Sequence, residues 1–153
     1  SNAFTDCTAL AQVTIGKGVT SIGSYAFSSC SSLASISVSS SNTKYDSRNN
    51  CNAIIETSTN KLIIGCKATT ITDTVTSIDS YAFYGCTGLT KIFIPSSVTT
   101  ISAASYSKSP FYNCSSTLKI YCGASSKPSG WGKYWNYYAS NKTLSVTWGY
   151  TRG

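Results

Sequence analysis

Ser24-Tyr25-Ala26-Phe27-Ser28-Ser29-Cys30-Ser31-Ser32-Leu33 returns almost unchanged as Ser80-Tyr81-Ala82-Phe83-Tyr84-Gly85-Cys86-Thr87-Gly88-Leu89. Partial copies stand at Ala3-Phe4-Thr5-Asp6-Cys7-Thr8-Ala9-Leu10 and at Pro110-Phe111-Tyr112-Asn113-Cys114, so a unit Ala-Phe-x-x-Cys-x-x-Leu is seen four times. Self-similarity at a fixed period marks a stacked array, in which each unit buries its apolar side only against its neighbours.

Outward from this unit, the first copy continues through Leu10, Val13, Ile15, Val19 and Ile22 and reaches Ala26 after 23 residues. Its Ile-x-Ile portion alternates as a strand buried on one face does. One period is therefore a short strand, a corner at Val-Thr-x-Ile and a return through Ala-Phe, and successive strands stack about 4.8 Å apart. The prediction is a mainly β fold with little helix.

Ala26 and Ala82 are 56 residues apart, ten more than two periods. Ile71, Val75 and Ile78 supply the missing copy, in register with Ile94, Val98 and Ile101. The surplus falls in 39–65, where Asn52-Ala53-Ile54-Ile55-Glu56 and Lys61-Leu62-Ile63-Ile64-Gly65 flank Thr57-Ser58-Thr59-Asn60. That pattern predicts a β-hairpin with Glu56 opposite Lys61, a register that also sets Cys51 against Cys66. The last copy is irregular: extra residues surround Tyr106, Thr117 stands for the Leu, Ile120 is kept and Cys122 takes the second Ile position. The count is about five coils.

After Cys122 the texture changes. Residues 123–130 read as a loop, Trp131, Tyr134, Trp135, Tyr137 and Tyr138 follow closely, and Leu144, Val146, Trp148 and Tyr150 alternate as a closing strand would. An array needs its last core covered, and this aromatic segment is expected to do so. The expected division is one domain over 1–153, with Ser1-Asn2-Ala3 as a tag scar, repeats over 4–122 and a cap over 123–153. An open first coil at residue 3 predicts more chain upstream in the native protein and pairing of this form as a dimer.

Composition excludes several functions. The 153 residues are 41% hydrophobic, which suffices for one core, and only 11% charged. Net charge is +7, yet the twelve basic residues are scattered from Lys17 to Arg152 with no adjacent pair, which argues against a nucleic-acid partner. No apolar run reaches the roughly twenty residues that span a bilayer. Seven cysteines with no histidine raise zinc, but the closest pair, Cys114 and Cys122, has seven residues between them, so no metal is expected. Cys7, Cys30, Cys86 and Cys114 share one repeat position and read as small buried residues. Cys51 and Cys66 are the one pair considered for a bridge, and Cys30 and Cys86 are expected two coils apart, out of reach. Without an imidazole base, and with Asp6, Asp46, Glu56, Asp73 and Asp79 as the only acids, neither catalytic residues nor a cofactor is expected.

The outward residues of the strands form two columns, Gln12, Ser35, Lys91, Lys119 and Thr14, Ser37, Phe93, Tyr121. Lys91, Phe93, Lys119 and Tyr121 are the candidate binding residues of this ladder face; mutual packing of Phe93 and Tyr121 is the plainer reading. Trp131, Tyr134 and Trp135 are the alternative, a platform for sugars, against plain core cover.

The run through Leu89, Ile92, Ile94, Pro95, Val98, Thr99 and Ile101, with Ala-Phe-x-x-Cys, resembles the BspA-type leucine-rich repeat over residues 3–122, and Asn42-Thr43-Lys44-Tyr45 with the Ile54–Ile64 hairpin resembles the long coil of many members. Departures are Asp79 and Ser102 in place of Gly, and Lys17-Gly18 without Pro. The resemblance implies a leucine-rich-repeat solenoid with a hairpin insert and an aromatic C-terminal cap. It also implies a bacterial cell-surface or secreted adhesion module, extracellular and without enzymatic activity, that binds proteins of host, matrix or neighbouring cells. A carbohydrate-binding module is the second reading.

Overall fold

The computed structural model describes residues 2–152; Ser1 of the tag-like start and Gly153 of the closing segment lie outside the described residues. The protein is mainly β, and among the described residues there is no α-helix, only the short 3-10 turns Arg48–Asn50 and Tyr106–Lys108. The strands in chain order are β1 (Gln12–Ile15), β2 (Ser35–Val38), β3 (Tyr45–Asp46), β4 (Ile54–Glu56), β5 (Lys61–Ile64) and β6 (Ser77–Ile78). They continue as β7 (Lys91–Ile94), β8 (Thr100–Ile101), β9 (Lys119–Cys122), β10 (Tyr137–Ala139), β11 (Lys142–Thr143) and β12 (Ser145–Thr147).

Equivalent positions of the repeat pair side by side. The strands of the Leu-x-x-Ile-x-Ile segment run parallel, β1 with β2 and β7 with β9, with Gln12 beside Ser35, Lys91 beside Lys119 and Phe93 beside Tyr121. The Val-Thr-x-Ile corners form a second parallel column, β5–β6–β8, with Ile78 beside Ile101. The closing segment adds to both: β12 pairs parallel with β9, and Trp131 bridges to Ile101. The two outward columns read from sequence are therefore not continuous, because β1–β2 and β7–β9–β12 are separate sheets.

A third column consists of the Ala-Phe-x-x-Cys turns. Phe4 N–H donates to Ala26 O, Phe83 N–H to Pro110 O and Gly85 N–H to Tyr112 O, at 2.8–2.9 Å. The residue before each Cys is left-handed in all four copies, with φ of 61° at Asp6, 60° at Ser29, 70° at Gly85 and 61° at Asn113. Asp, Asn and Gly tolerate that conformation best, which explains the small polar residues there. Each buried Cys then turns its thiol onto the copy before it. Cys30 Sγ donates to Phe4 O and Cys114 Sγ to Phe83 O, both at 3.1 Å, and Cys86 Sγ approaches Gly65 O at 3.9 Å.

The insertion acts through Gly65. Its N–H donates to Ala82 O as Phe4 does to Ala26, so Gly65 stands where a repeat Phe would stand, and any side chain there would collide with the Phe83 ring. With the third turn so reduced, Ser29 N–H reaches Tyr84 O directly at 3.1 Å. The expected two-coil gap between the Cys30 and Cys86 turns is thus closed at this side. The phenylalanines stack in two pairs, Phe4–Phe27 at 5.3 Å and Phe83–Phe111 at 5.5 Å. Phe83 and Phe111 are fully buried, but Phe27, expected inside, is half-buried because its partner Phe4 is 47% exposed.

The hairpin forms with Glu56 opposite Lys61 as the turn pattern predicts. A bulge then pairs Ile54 with Ile64 rather than Ile63, and the one-residue slip moves Cys66 out of line with Cys51. Both are buried free thiols. Glu56 forms its ion pair with Lys44, at 3.3 Å. Arg48 holds the insert together, with Nε and Nη2 on the Asp46 carboxylate and Nη1 on Asn60, each at 2.7 Å. In the last copy Leu118, not Thr117, fills the Leu position: Leu118 is buried and Thr117 exposed, because the link from Cys114 is one residue longer.

Phe83→Ala should cost about 3–5 kcal/mol as a large-to-small core change, with Phe27→Ala clearly milder; chemical denaturation measures both. Gly65→Ala should cost about 1–3 kcal/mol by overpacking against Phe83. The thiols give a pH test. Burial pushes Cys114 and Cys122 up to about 12, and Cys86 well up. An unfolded cysteine ionises near about 8.5, so the folded state keeps protons that the unfolded state loses, and stability falls as pH rises from about 8.5 toward 12. The thermal midpoint should drop over that range, and a thiol reagent at neutral pH should react rapidly with half-exposed Cys7 alone.

Candidate functional site

The strand face of β7 and β9 is a groove. Lys91, Phe93 and Tyr121 line it together with Thr69, Thr70, Ile71, Tyr150 and Arg152, enclosing about 310 Å³. Alternation points these side chains out of the sheet while Ile92, Ile94, Ile120 and Cys122 go into the core. Lys119 is in register with Lys91 but stands outside the groove lining.

Two residues missed by the sequence reading complete the wall. The expected closing strand through Tyr150 ends at Thr147, because Gly149, at φ 65°, turns the chain. Tyr150 N–H then donates to Cys122 O at 2.9 Å, which lays its ring 4.7 Å from Tyr121 and 6.0 Å from Phe93. Arg152 follows, its guanidinium 4.5 Å from the Phe93 ring centre, with Nη1 donating to Ile71 O and Nη2 to Asp73. The aromatic pair of the ladder face packs on this returning tail. In the sequence, the only trace was Gly149 inside an alternating run, a signal for a bend.

Chemically the groove offers aromatic surface rimmed by Lys91 and Arg152, with Asp73 as the acid at its edge. Among the described residues, no group of three or more His, Cys, Asp or Glu side chains is placed to hold a metal ion. No helix is long and apolar enough to cross a membrane.

The alternative platform fails on burial. Trp131 and Trp135 are 2% and 3% exposed, their rings 4.7 Å apart and each 5.7 Å from Trp148. Trp131 Nε1 donates to Val98 O at 3.0 Å, which satisfies the indole inside the core. Tyr134 stays half-buried, edge-on to Tyr137 at 5.1 Å, with Lys133 Nζ 5.4 Å from its ring centre. No flat indole face is presented for a sugar. Trp131→Ala should therefore act as a core deletion, lowering stability by about 3–5 kcal/mol in denaturant titration.

The known proteins agree with this architecture. The pattern of the BspA type leucine rich repeat region matches residues 1–67 and 63–137 in six copies, where about five were counted from the sequence. A leucine rich cell surface protein from Faecalibacterium prausnitzii A2-165 superposes with a TM-score of 0.54 at 30% identity, covering 73% of this chain and 29% of its own. A leucine-rich repeat protein from Eubacterium ventriosum ATCC 27560 superposes with a TM-score of 0.52 at 25% identity, covering 90% of this chain and 42% of its own. The chain thus spans less than half the length of either structure. No curated protein matches it. On the repeats matched through both halves, the chain belongs to the BspA type leucine-rich repeat family.

Proposed function

We propose that this chain is a non-enzymatic adhesion module of a bacterial cell-surface or secreted protein, and that it captures a protein of host, matrix or neighbouring cell on its ladder face. The observation that carries the reading is the register of β7 and β9, which sets Lys91 beside Lys119 and Phe93 beside Tyr121 at a groove. Aromatic side chains bring large contact area at small entropic cost, and cations at the rim steer an oppositely charged partner. The partner that fits is an extended polypeptide bearing acidic residues. Membership of the repeat family and the cell-surface description of the Faecalibacterium protein favour the same class.

The reading treats 1–153 as one repeat domain, a solenoid of about five coils with the insert at 39–65 and the segment 123–153 covering its last coil. The strand that β12 adds to β9 and the bridge from Trp131 to Ile101 support that role for the segment.

A panel of immobilised extracellular-matrix proteins, probed by biolayer interferometry, tests the site. Replacing Phe93 and Tyr121 together with Ser should weaken capture at least about tenfold, 1.4 kcal/mol, while the far-UV circular dichroism is unchanged. Added salt should weaken it further. Capture that survives the double substitution would remove the ladder face from consideration.

A further inference from the structure

The turn column carries a second site, away from the strand groove and independent of the reading given to it. The two residues between Phe and Cys are Thr5-Asp6, Ser28-Ser29, Tyr84-Gly85 and Tyr112-Asn113 in the four copies. Because Gly65 reduces the third turn, Ser29 lies directly on Tyr84 and Gly85, and polar residues of separate copies converge. Asp6, Tyr25, Ser28, Ser29, Tyr84 and Asn113 line one concave pocket of about 360 Å³, within the range of small-ligand sites.

Its walls are aromatic and rigidly held. Tyr25 and Tyr84 meet edge-on at 5.5 Å, and Tyr81 backs both, its ring 4.4 Å from Tyr25 and 6.0 Å from Tyr84. Tyr81 is left-handed, at φ 66°, a strained backbone for a bulky side chain and a kind of strain that gathers at ligand sites. Tyr25, with the same neighbours in sequence, is not left-handed.

The polar groups are left unmatched. Ser28 is 5% exposed, and its Oγ, fully shielded, has no hydrogen-bond partner. Asp46, Glu56 and Asp73 form ion pairs and Asp79 accepts from Ser80 N–H, whereas among the described residues Asp6 has neither kind of partner. Asn113 Nδ2 donates to Tyr84 Oη at 3.1 Å, which leaves the Tyr84 hydroxyl proton free to donate. The set thus holds one carboxylate acceptor and several donors beside two aromatic rings. An anion would meet the Asp6 charge, and a cation would leave the hydroxyl and amide donors unmatched. A neutral polyol both donates and accepts, and its C–H face packs on an aromatic ring.

We propose that this pocket is a saccharide subsite taking a single neutral pyranose, with its C–H face on Tyr25 and Tyr84. Its hydroxyls donate to the Asp6 carboxylate and accept from Ser28 and from the Tyr84–Asn113 pair.

Saturation-transfer NMR with the methyl glycosides of glucose, galactose, mannose and N-acetylglucosamine tests it on the chain of residues 1–153. At least one glycoside should bind saturably in the millimolar range. Ser28→Ala should weaken that binding roughly fivefold, about 1 kcal/mol, while leaving the thermal midpoint unchanged or raised, because an unpaired buried hydroxyl is removed. Asp6→Asn, which keeps a residue at ease in the left-handed region, should weaken it similarly. Asn2→Ala, at the rim but in the tag-like start, should leave it unchanged. A void of about 10 Å³ behind Ser28 is at the smallest size that holds a water. If Ser28→Ala lowers the midpoint and leaves glycoside binding intact, the hydroxyl serves the fold and the proposal fails. It fails equally if no glycoside binds at tens of millimolar, if tetramethylammonium binds in preference to every glycoside, or if Asn2→Ala alone abolishes binding.

Discussion

No copy of the 23-residue unit satisfies its own backbone, and everything else follows from that. The amides of the Ala-Phe-x-x-Cys turn point along the array, so Phe4 needs Ala26 and Phe83 needs Pro110. Burying such groups unpaired costs stability, and only a neighbouring copy in the same conformation supplies the carbonyl at the right place. The left-handed residue before Cys sets that conformation, and the Cys thiol closes the contact by donating to the carbonyl of the preceding copy. A thiol there is small enough for the core and, with its ionisation pushed upward by burial, remains a donor. Serine would fill less space, and alanine would give up the bond.

The same constraint explains how the array absorbs an insertion. The hairpin of β4 and β5 enters the corner column by pairing β5 with β6, so its edge is covered within the sheet. At the turn side there is no room for a further Phe, and Gly65 takes its place beneath Phe83. Copies separated by 56 residues are thereby joined through Ser29 and Tyr84. The closing segment solves the matching problem at the far end, with Trp131 extending the corner column and β12 the strand column.

What the sequence made legible was whatever depends on period. The Ile-x-Ile strands, the pairing of Lys91 with Lys119 and Phe93 with Tyr121, and the burial of Phe83 all follow from counting residues between equivalent positions. What it hid depends on departures from the period, where one residue more or less is decided by packing elsewhere. The bulge at Ile63, the substitution of Leu118 for Thr117 and the reduction of a turn to Gly65 are of this kind. Tyr150 alternates properly with Trp148 and still leaves the strand, because Gly149 permits a turn that the Cys122 carbonyl rewards. Trp131 reads equally well as platform or core, and only its bond to Val98 O places it inside.

Both candidate sites arise at such departures. Where copies follow one another regularly, as in β1 and β2, the outward residues are Gln12, Thr14, Ser35 and Ser37, with Thr14 and Ser37 3.3 Å apart and bonded to each other. That surface is polar and matched. Where a copy is shortened, residues from distant copies meet without having been paired by the repeat, as Asp6, Ser28 and Asn113 do. Where the repeat ends, a returning tail builds a wall across β9 and β7 that no repeat residue could form. The repeat thus fixes a rigid scaffold, and the irregular residues, held by it but unmatched within it, are left to engage something else.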